Sequence, residues 1–381
     1  MSILATESKT RVIHGPGRVA ELGELARELQ VERVLVVSDP GVIQAGHTNR
    51  GINSLTSAGL DTQLFDGVQE NPTTHNVEQG LAVAKEYRPE LIVGLGGGSS
   101  MDCAKGINFL YSCGGRMQDY WGIGKATGPL LPMIAVPTTA GTGSETQSFA
   151  LISDAETHVK MACGDRRAAF RIAILDPELT LTQPPRVAAL AGYDAISHAV
   201  ETYVTKKRNE KSCQFSLDAW QHLAPHYLQV LSNPDDLEAR GHMQLGACLA
   251  GLAIENSMLG AAHALANPLT ATYGIAHGEA VALMLPHVVR FNAAECESWY
   301  NELLSSTSHL PGCPSGGAGE LADFLQELSA NADLPTTLQS CGVERNRLSE
   351  LAAAAASQWT ASFNPIPVST EELLKLYEHA Y

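Results

Sequence analysis

The sequence predicts a two-domain chain, an α/β half built on a parallel sheet followed by an all-helical half. Three observations carry this. The first half alternates short β-branched runs with amphipathic stretches, a strand-helix-strand rhythm. Beyond the Pro184–Pro185 pair strand-like runs nearly vanish, while helical periodicity rich in Ala, Leu, Glu and Gln carries on to the end. With 381 residues, 44% of them hydrophobic, the chain can bury two cores. The expected domains are residues 1–183 and 184–381.

Taken in order, the strands are "RVLVVSD" from Arg33, "ELIVGLGGGSS" from Glu90 and "PMIAVPTT" from Pro132. In the second half, "SSTSHLPGCPSGGAGE" from Ser305 to Glu320 reads as a surface loop between helices, and Ala352–Ala356 as plain helix former. The balance of 25 Lys+Arg against 41 Asp+Glu gives a formal charge of -16, which repels phosphate backbones and anionic membranes, so nucleic acid and membrane are not expected partners. The start "MSILATESKTR" has no apolar core behind a basic run, and no apolar run is long enough to span a bilayer. A soluble, cytoplasmic protein is expected. Its eight cysteines form no Cys-x-x-Cys pair, so they read as small hydrophobes rather than disulfides or zinc ligands.

Three strand ends carry ligand-binding chemistry. In "LIVGLGGGSSMDCAK" the glycines Gly96, Gly97 and Gly98 allow close approach of a ligand to the backbone. Ser99 or Ser100 then offers an N-cap to a helix whose amino end suits a diphosphate. Asp39 closes "VLVVSD", where its carboxylate suits a ribose hydroxyl and repels a 2′-phosphate, favouring NAD over NADP. This acid precedes the glycines, whereas in the usual G-x-G-x-x-G fingerprint it follows them by about 20 residues, so a different topology is implied. "PTTAGTGSE" from Pro137 closes a third strand with hydroxyls and glycines. A strand-to-helix turn without a ligand explains any one of these; the three together suggest a dinucleotide site.

In "GYDAISHAVE", Asp194 and His198 stand four residues apart and so point the same way from one helix. Taken alone, that pair is more simply a buried hydrogen bond. Downstream, His263 lies in a small-residue helix expected to stop before Pro268, and His277 precedes Gly278 at the start of another helix. Three imidazoles and one carboxylate suit Fe or Zn. A 2+ ion with one anionic ligand leaves net positive charge for an alkoxide oxygen.

These residues resemble the iron-containing, group III metal-dependent alcohol dehydrogenases. The resemblance runs from "RVIHGPGRVAELG" through "GGGSSMDCAK", "PTTAGTGSE", "ILDPELTLTQPPRVAALAGYDAISHAVE" and "HGEAVALMLPHVVRFN" to "NPIPVSTEELLKLYEHAY". It implies an N-terminal Rossmann-like domain, a C-terminal helical metal-binding domain, and NAD-linked interconversion of a small alcohol and aldehyde in the cleft between them, in a homodimer or larger assembly. It implies Asp194, His198, His263 and His277 as ligands of Fe2+, or of Zn2+, with Asp194, His263 and His277 also catalytic. The implied NAD contacts are Asp39, Asn71, Gly97, Gly98, Ser99, Asp102, Thr138, Thr139, Thr142, Lys160, Leu179 and His277. Two positions depart from the pattern. Asn267 stands where many relatives have a histidine proposed to relay protons, so the alcohol proton is expected to leave through water or a ribose hydroxyl. Phe149 stands where relatives are often polar. Two other readings remain open at this point: a dehydroquinate-synthase-like lyase that regenerates NAD internally, and a nucleotide-sensing or metal-storage protein.

Overall fold

The structure, a computed structural model, describes residues 10–381. The chain forms two compact units: residues up to Thr139 with Gly143–Gln183, and Ala140–Thr142 with Pro184–Tyr381.

In the first unit, strands β1 (Arg11–His14), β2 (Arg33–Val37), β3 (Asp61–Phe65), β4 (Leu91–Gly96), β6 (Met133–Pro137) and β9 (Ile172–Leu175) form one parallel sheet in the order β1-β9-β6-β4-β2-β3. Alternate residues of each strand feed opposite cores, as the two-residue period requires. Leu35, Val37, Ile92, Met133 and Ala135 enter one cluster, and Val34, Val36, Val93, Leu95, Ile134 and Val136 enter the other. Burial on both faces is why these runs are apolar throughout and why helices must cover both sides. A second sheet was not anticipated. It has β5 (Gly122–Ile123), β8 (Lys160–Gly164) and β7 (Phe149–Ser153) in the order β5-β8-β7, with β7 and β8 antiparallel. The turn joining β7 to β8 is fastened by Asp154, whose Oδ1 accepts from the amides of Glu156 at 3.0 Å and Thr157 at 2.8 Å.

The second unit is helical, and among the described residues no strand follows Leu175. Its longest helices are Pro185–Val204, Leu237–Asn256 and His277–Ser305. Pro185 begins the first of these, where its missing N–H costs nothing. The helix carrying His263 corrects the expectation that it stops before Pro268, because it runs Ala261–Tyr273 with the proline inside. Leu265 and Leu269 on either side are fully buried and hold the segment in place. Tyr377 donates its hydroxyl to the Leu265 carbonyl at 2.6 Å, so a carbonyl next to the break keeps a partner.

Two glycines let backbones meet in this unit. A Cβ at Gly278 would lie 2.3 Å from the Leu190 carbonyl oxygen, and one at Gly141 would lie 2.6 Å from the Ala191 Cβ. Both neighbours belong to the helix that carries Asp194. Gly278→Ala is expected to overpack this junction and to destabilise the fold by on the order of 1–3 kcal/mol. Thermal unfolding reads this directly, and an unaltered Tm would show that the Leu190 backbone yields freely.

Candidate active site

Asp194 and His198 lie one turn apart on the Pro185–Val204 helix, His263 is on Ala261–Tyr273, and His277 opens His277–Ser305. All four belong to the second unit. Their polar atoms gather around one carboxylate oxygen. Asp194 Oδ1 is 3.4 Å from His198 Nε2, 3.5 Å from His263 Nε2 and 3.8 Å from His277 Nε2. One ligand atom each from Asp194, His263 and His277 lie within 4.8 Å of one another. The His198 and His263 rings stack with centroids 5.0 Å apart.

A divalent ion fits this set. Asp194 Oδ1 and His263 Nε2 are both buried, and neither has a hydrogen-bond partner. Polar atoms rarely stay buried in that state unless something binds them. The tautomer of His263 sharpens the point. Its Nδ1 lies 2.5 Å from Glu201 Oε2, while Glu201 Oε1 accepts from the Ala262 amide at 2.8 Å. A carboxylate can only accept, so Nδ1 carries the proton and the Nε2 lone pair faces the lone pairs of Asp194. Two lone pairs in a buried site need a cation between them.

Without an ion, protons answer the same demand. Burial alone would raise the Asp194 carboxyl, but His198, His263 and His277 outweigh it and hold the group well below the usual carboxylate range. Burial also works against a charged His263, yet Glu201 and Asp194 push its pKa up to about 9. His198 goes the other way, lowered to about 4 by burial.

Glu201 was not singled out from the sequence. The spacing alone carried a signal, since Asp194, His198 and Glu201 at i, i+4 and i+7 share a helix face; the burial of Glu201 emerges only in the structure.

The predicted cofactor residues cluster at strand ends of the first unit. Gly97 is the N-cap of the Gly98–Cys113 helix, which corrects the expectation of a serine cap. Ser99 and Ser100 instead lie in the first turn and tie neighbouring segments to it. Ser99 Oγ accepts from the Asn71 amide at 3.2 Å, and Ser100 Oγ donates to Asp39 Oδ2 at 3.0 Å. Asp39 Oδ1 caps the Pro40–Gln44 helix through the Val42 amide at 3.1 Å. A carboxylate has about four acceptor sites, so two remain for a ribose. Gly96 has φ +152°, and a Cβ there would lie 2.4 Å from Ser100 Oγ, so only glycine serves at this crossing. Thr138 follows β6, its amide donating to the Gly96 carbonyl at 3.0 Å, and Thr139 is next to it.

Asp39, Asn71, Gly97, Gly98, Ser99, Thr138 and Thr139 thus lie on adjoining strand ends or on segments bonded to them. Asp102 lies one turn into the helix, buried, with its carboxylate engaged by Ser144 at 2.6 Å. Leu179 belongs to an apolar core, and its amide donates to the Asp176 carbonyl at 3.1 Å. Lys160 is exposed at the start of β8. Thr142 and His277 fall in the helical unit.

Known proteins resemble this chain in sequence and fold. The family described as "Iron-containing alcohol dehydrogenase" matches residues 9–177, and "Fe-containing alcohol dehydrogenase family, C-terminal" matches residues 188–381. Alcohol dehydrogenase 4 of Schizosaccharomyces pombe is 34% identical over 97% of this chain and 87% of its own length. The NAD-dependent methanol dehydrogenase of Bacillus methanolicus is 31% identical over 96% of this chain and 97% of its own. A crystal structure of a 1,3-propanediol oxidoreductase superposes with a TM-score of 0.91 at 32% identity, covering 97% of this chain and 98% of that one. With both halves matched and the likeness extending along nearly its whole length, the chain belongs to the iron-containing alcohol dehydrogenase family.

Proposed function

We propose that this chain interconverts a small alcohol and its aldehyde with NAD(H), using Asp194, His198, His263 and His277 to hold Fe2+, with Zn2+ as the other candidate. The observation that carries the reading is the buried, unpartnered pair of Asp194 Oδ1 and His263 Nε2 in a chain of the alcohol dehydrogenase family. Bound there, the ion supplies polarisation of the alcohol oxygen, and NAD supplies the hydride acceptor. The chain supplies position and field. Glu201 keeps the proton on His263 Nδ1 and so keeps Nε2 available as a ligand. Asp194 would be the single anionic ligand, which would leave net positive charge to face the substrate oxygen. The Gly96–Ser100 turn presents helix N-terminal amides to a diphosphate, and Asp39 meets the adenosine ribose.

Named activities among relatives, on methanol and on 1,3-propanediol, support a short-chain alcohol or diol as substrate. Eight free cysteines support a reducing, cytoplasmic setting, and a homodimer or larger assembly is part of the same proposal.

Three outcomes test this. His263→Ala is expected to lose iron and turnover together, by elemental analysis of protein purified without oxygen and by NADH absorbance, while a fluorescence titration still finds NADH bound. Full activity after exhaustive chelation would end the metal reading. Glu201→Gln should weaken metal affinity about 10- to 100-fold with all four ligands intact, measured by competition with a chromogenic chelator. Asp39→Ala should raise kcat/KM for NADP relative to NAD by at least about tenfold through lost repulsion. An unmoved ratio would place the ribose elsewhere.

A further inference from the structure

Lys105 has no part in the chemistry above, yet it is fully buried in the first unit, on the helix whose amino end forms the diphosphate turn. A buried ammonium is costly unless its protons are all taken and an anion is near. Both conditions hold. Nζ donates to the Ser144 carbonyl at 2.8 Å, to Ser144 Oγ at 2.8 Å and to the Phe149 carbonyl at 2.7 Å, three acceptors for three protons. Asp102 Oδ1 lies 3.6 Å from Nζ and accepts from Ser144 Oγ at 2.6 Å. The Phe170 ring closes the remaining side, its centroid 5.2 Å away.

The bonds all reach one segment. Residues 144–149 link the "PTTAGTGSE" loop to β7, and Ser144, Glu145, Thr146 and Ser148 are buried without belonging to a helix or strand. A buried irregular segment has carbonyls that no ladder satisfies. Lys105 takes the Ser144 carbonyl, which it shares with the Gln147 amide, and the carbonyl of Phe149, where β7 begins.

We propose that Lys105, braced by Asp102 and Ser144, is a positioning residue for the dinucleotide: it locks the segment following Thr138 and Thr139 to the helix that starts at the glycine turn. The two loops then keep a fixed spacing before the cofactor arrives, and binding is spared the entropy of ordering them. Lys105 itself touches neither cofactor nor substrate. This rests on the reading that the chain uses NAD(H), so the test separates loop order from cofactor binding.

The variants are Lys105→Met, which keeps length and removes charge, and the milder Ser144→Ala, which keeps both carbonyl bonds. Each would be compared with the iron-loaded enzyme by amide hydrogen exchange over residues 143–149, NADH fluorescence titration, iron content and steady-state kinetics. For Lys105→Met the expected result is faster exchange confined to that segment, NADH Kd raised at least tenfold, KM for NAD raised in step, kcat at saturating NAD within threefold, and iron unchanged. Ser144→Ala should move exchange and Kd the same way by a smaller factor, and it decides the matter if Lys105→Met does not fold. Unchanged exchange in the folded variants overturns the clamp. Faster exchange with Kd within twofold of the parent overturns its positioning role. Failure of the parent enzyme to bind NADH would instead overturn the functional reading, leaving the exchange comparison to judge the clamp alone.

Discussion

One oxygen atom organises the catalytic half of this protein. Asp194 Oδ1 is surrounded at 3.4 to 3.8 Å by three imidazole nitrogens and is sealed from water. A buried carboxylate with no cation is among the costliest groups a fold can hold, and removing one partner of a buried charge pair typically costs about 3–5 kcal/mol. The site is therefore built for positive charge. Three helices have to deliver side chains to within a few ångströms, and the packing around them serves that delivery. Glycine at 278 and at 141 gives the Asp194 helix neighbours with no side chain between the backbones.

Charge counting shows what Glu201 adds. A divalent ion with Asp194 alone has a net charge of +1, and counting the Glu201 carboxylate behind His263 brings the group to zero. The two carboxylates are not equivalent in space. Asp194 is at the ligand position, while Glu201 is one imidazole ring further away. Coulomb energy falls with distance, so with an ion bound a substrate oxygen beside it would still meet positive charge, while the surrounding interior would enclose a nearly neutral cluster. The same proton on His263 Nδ1 serves both ends, orienting the ring and making Nε2 a better donor.

Much of this was legible in the sequence where a local period carried it. The buried strands announce themselves by unbroken apolar runs, and Asp194 with His198 by a four-residue spacing. What the sequence conceals is what depends on distant packing. His263 and His277 join the site through helices whose approach no periodicity encodes, and only the family resemblance gathered them. Glu201 looked like the polar residue any helix carries, because burial is invisible in one dimension. Pro268 reads locally as a stop, yet the helix runs through it to Tyr273, packed by the buried Leu265 and Leu269 and touched by Tyr377 from more than a hundred residues away. Ser99 and Ser100 looked like caps because their chemistry suits that role, but their hydroxyls bind Asn71 and Asp39 instead. The small second sheet hid for another reason, since β7 and β8 are only partly buried and so lack the unbroken apolar runs of the main sheet's central strands.

The four clustered residues differ in exposure. The side chains of Asp194, His198 and His263 are 8%, 5% and 5% exposed, whereas His277 is 28% exposed. Of the four, His277 is the side chain that water reaches. Asn267 offers no competing route. Its amide donates to Gln358 Oε1 at 3.1 Å, and neither amide of that pair changes protonation near neutral pH. On the proposed reading, a proton leaving the alcohol would pass to solvent rather than back along the Ala261–Tyr273 helix.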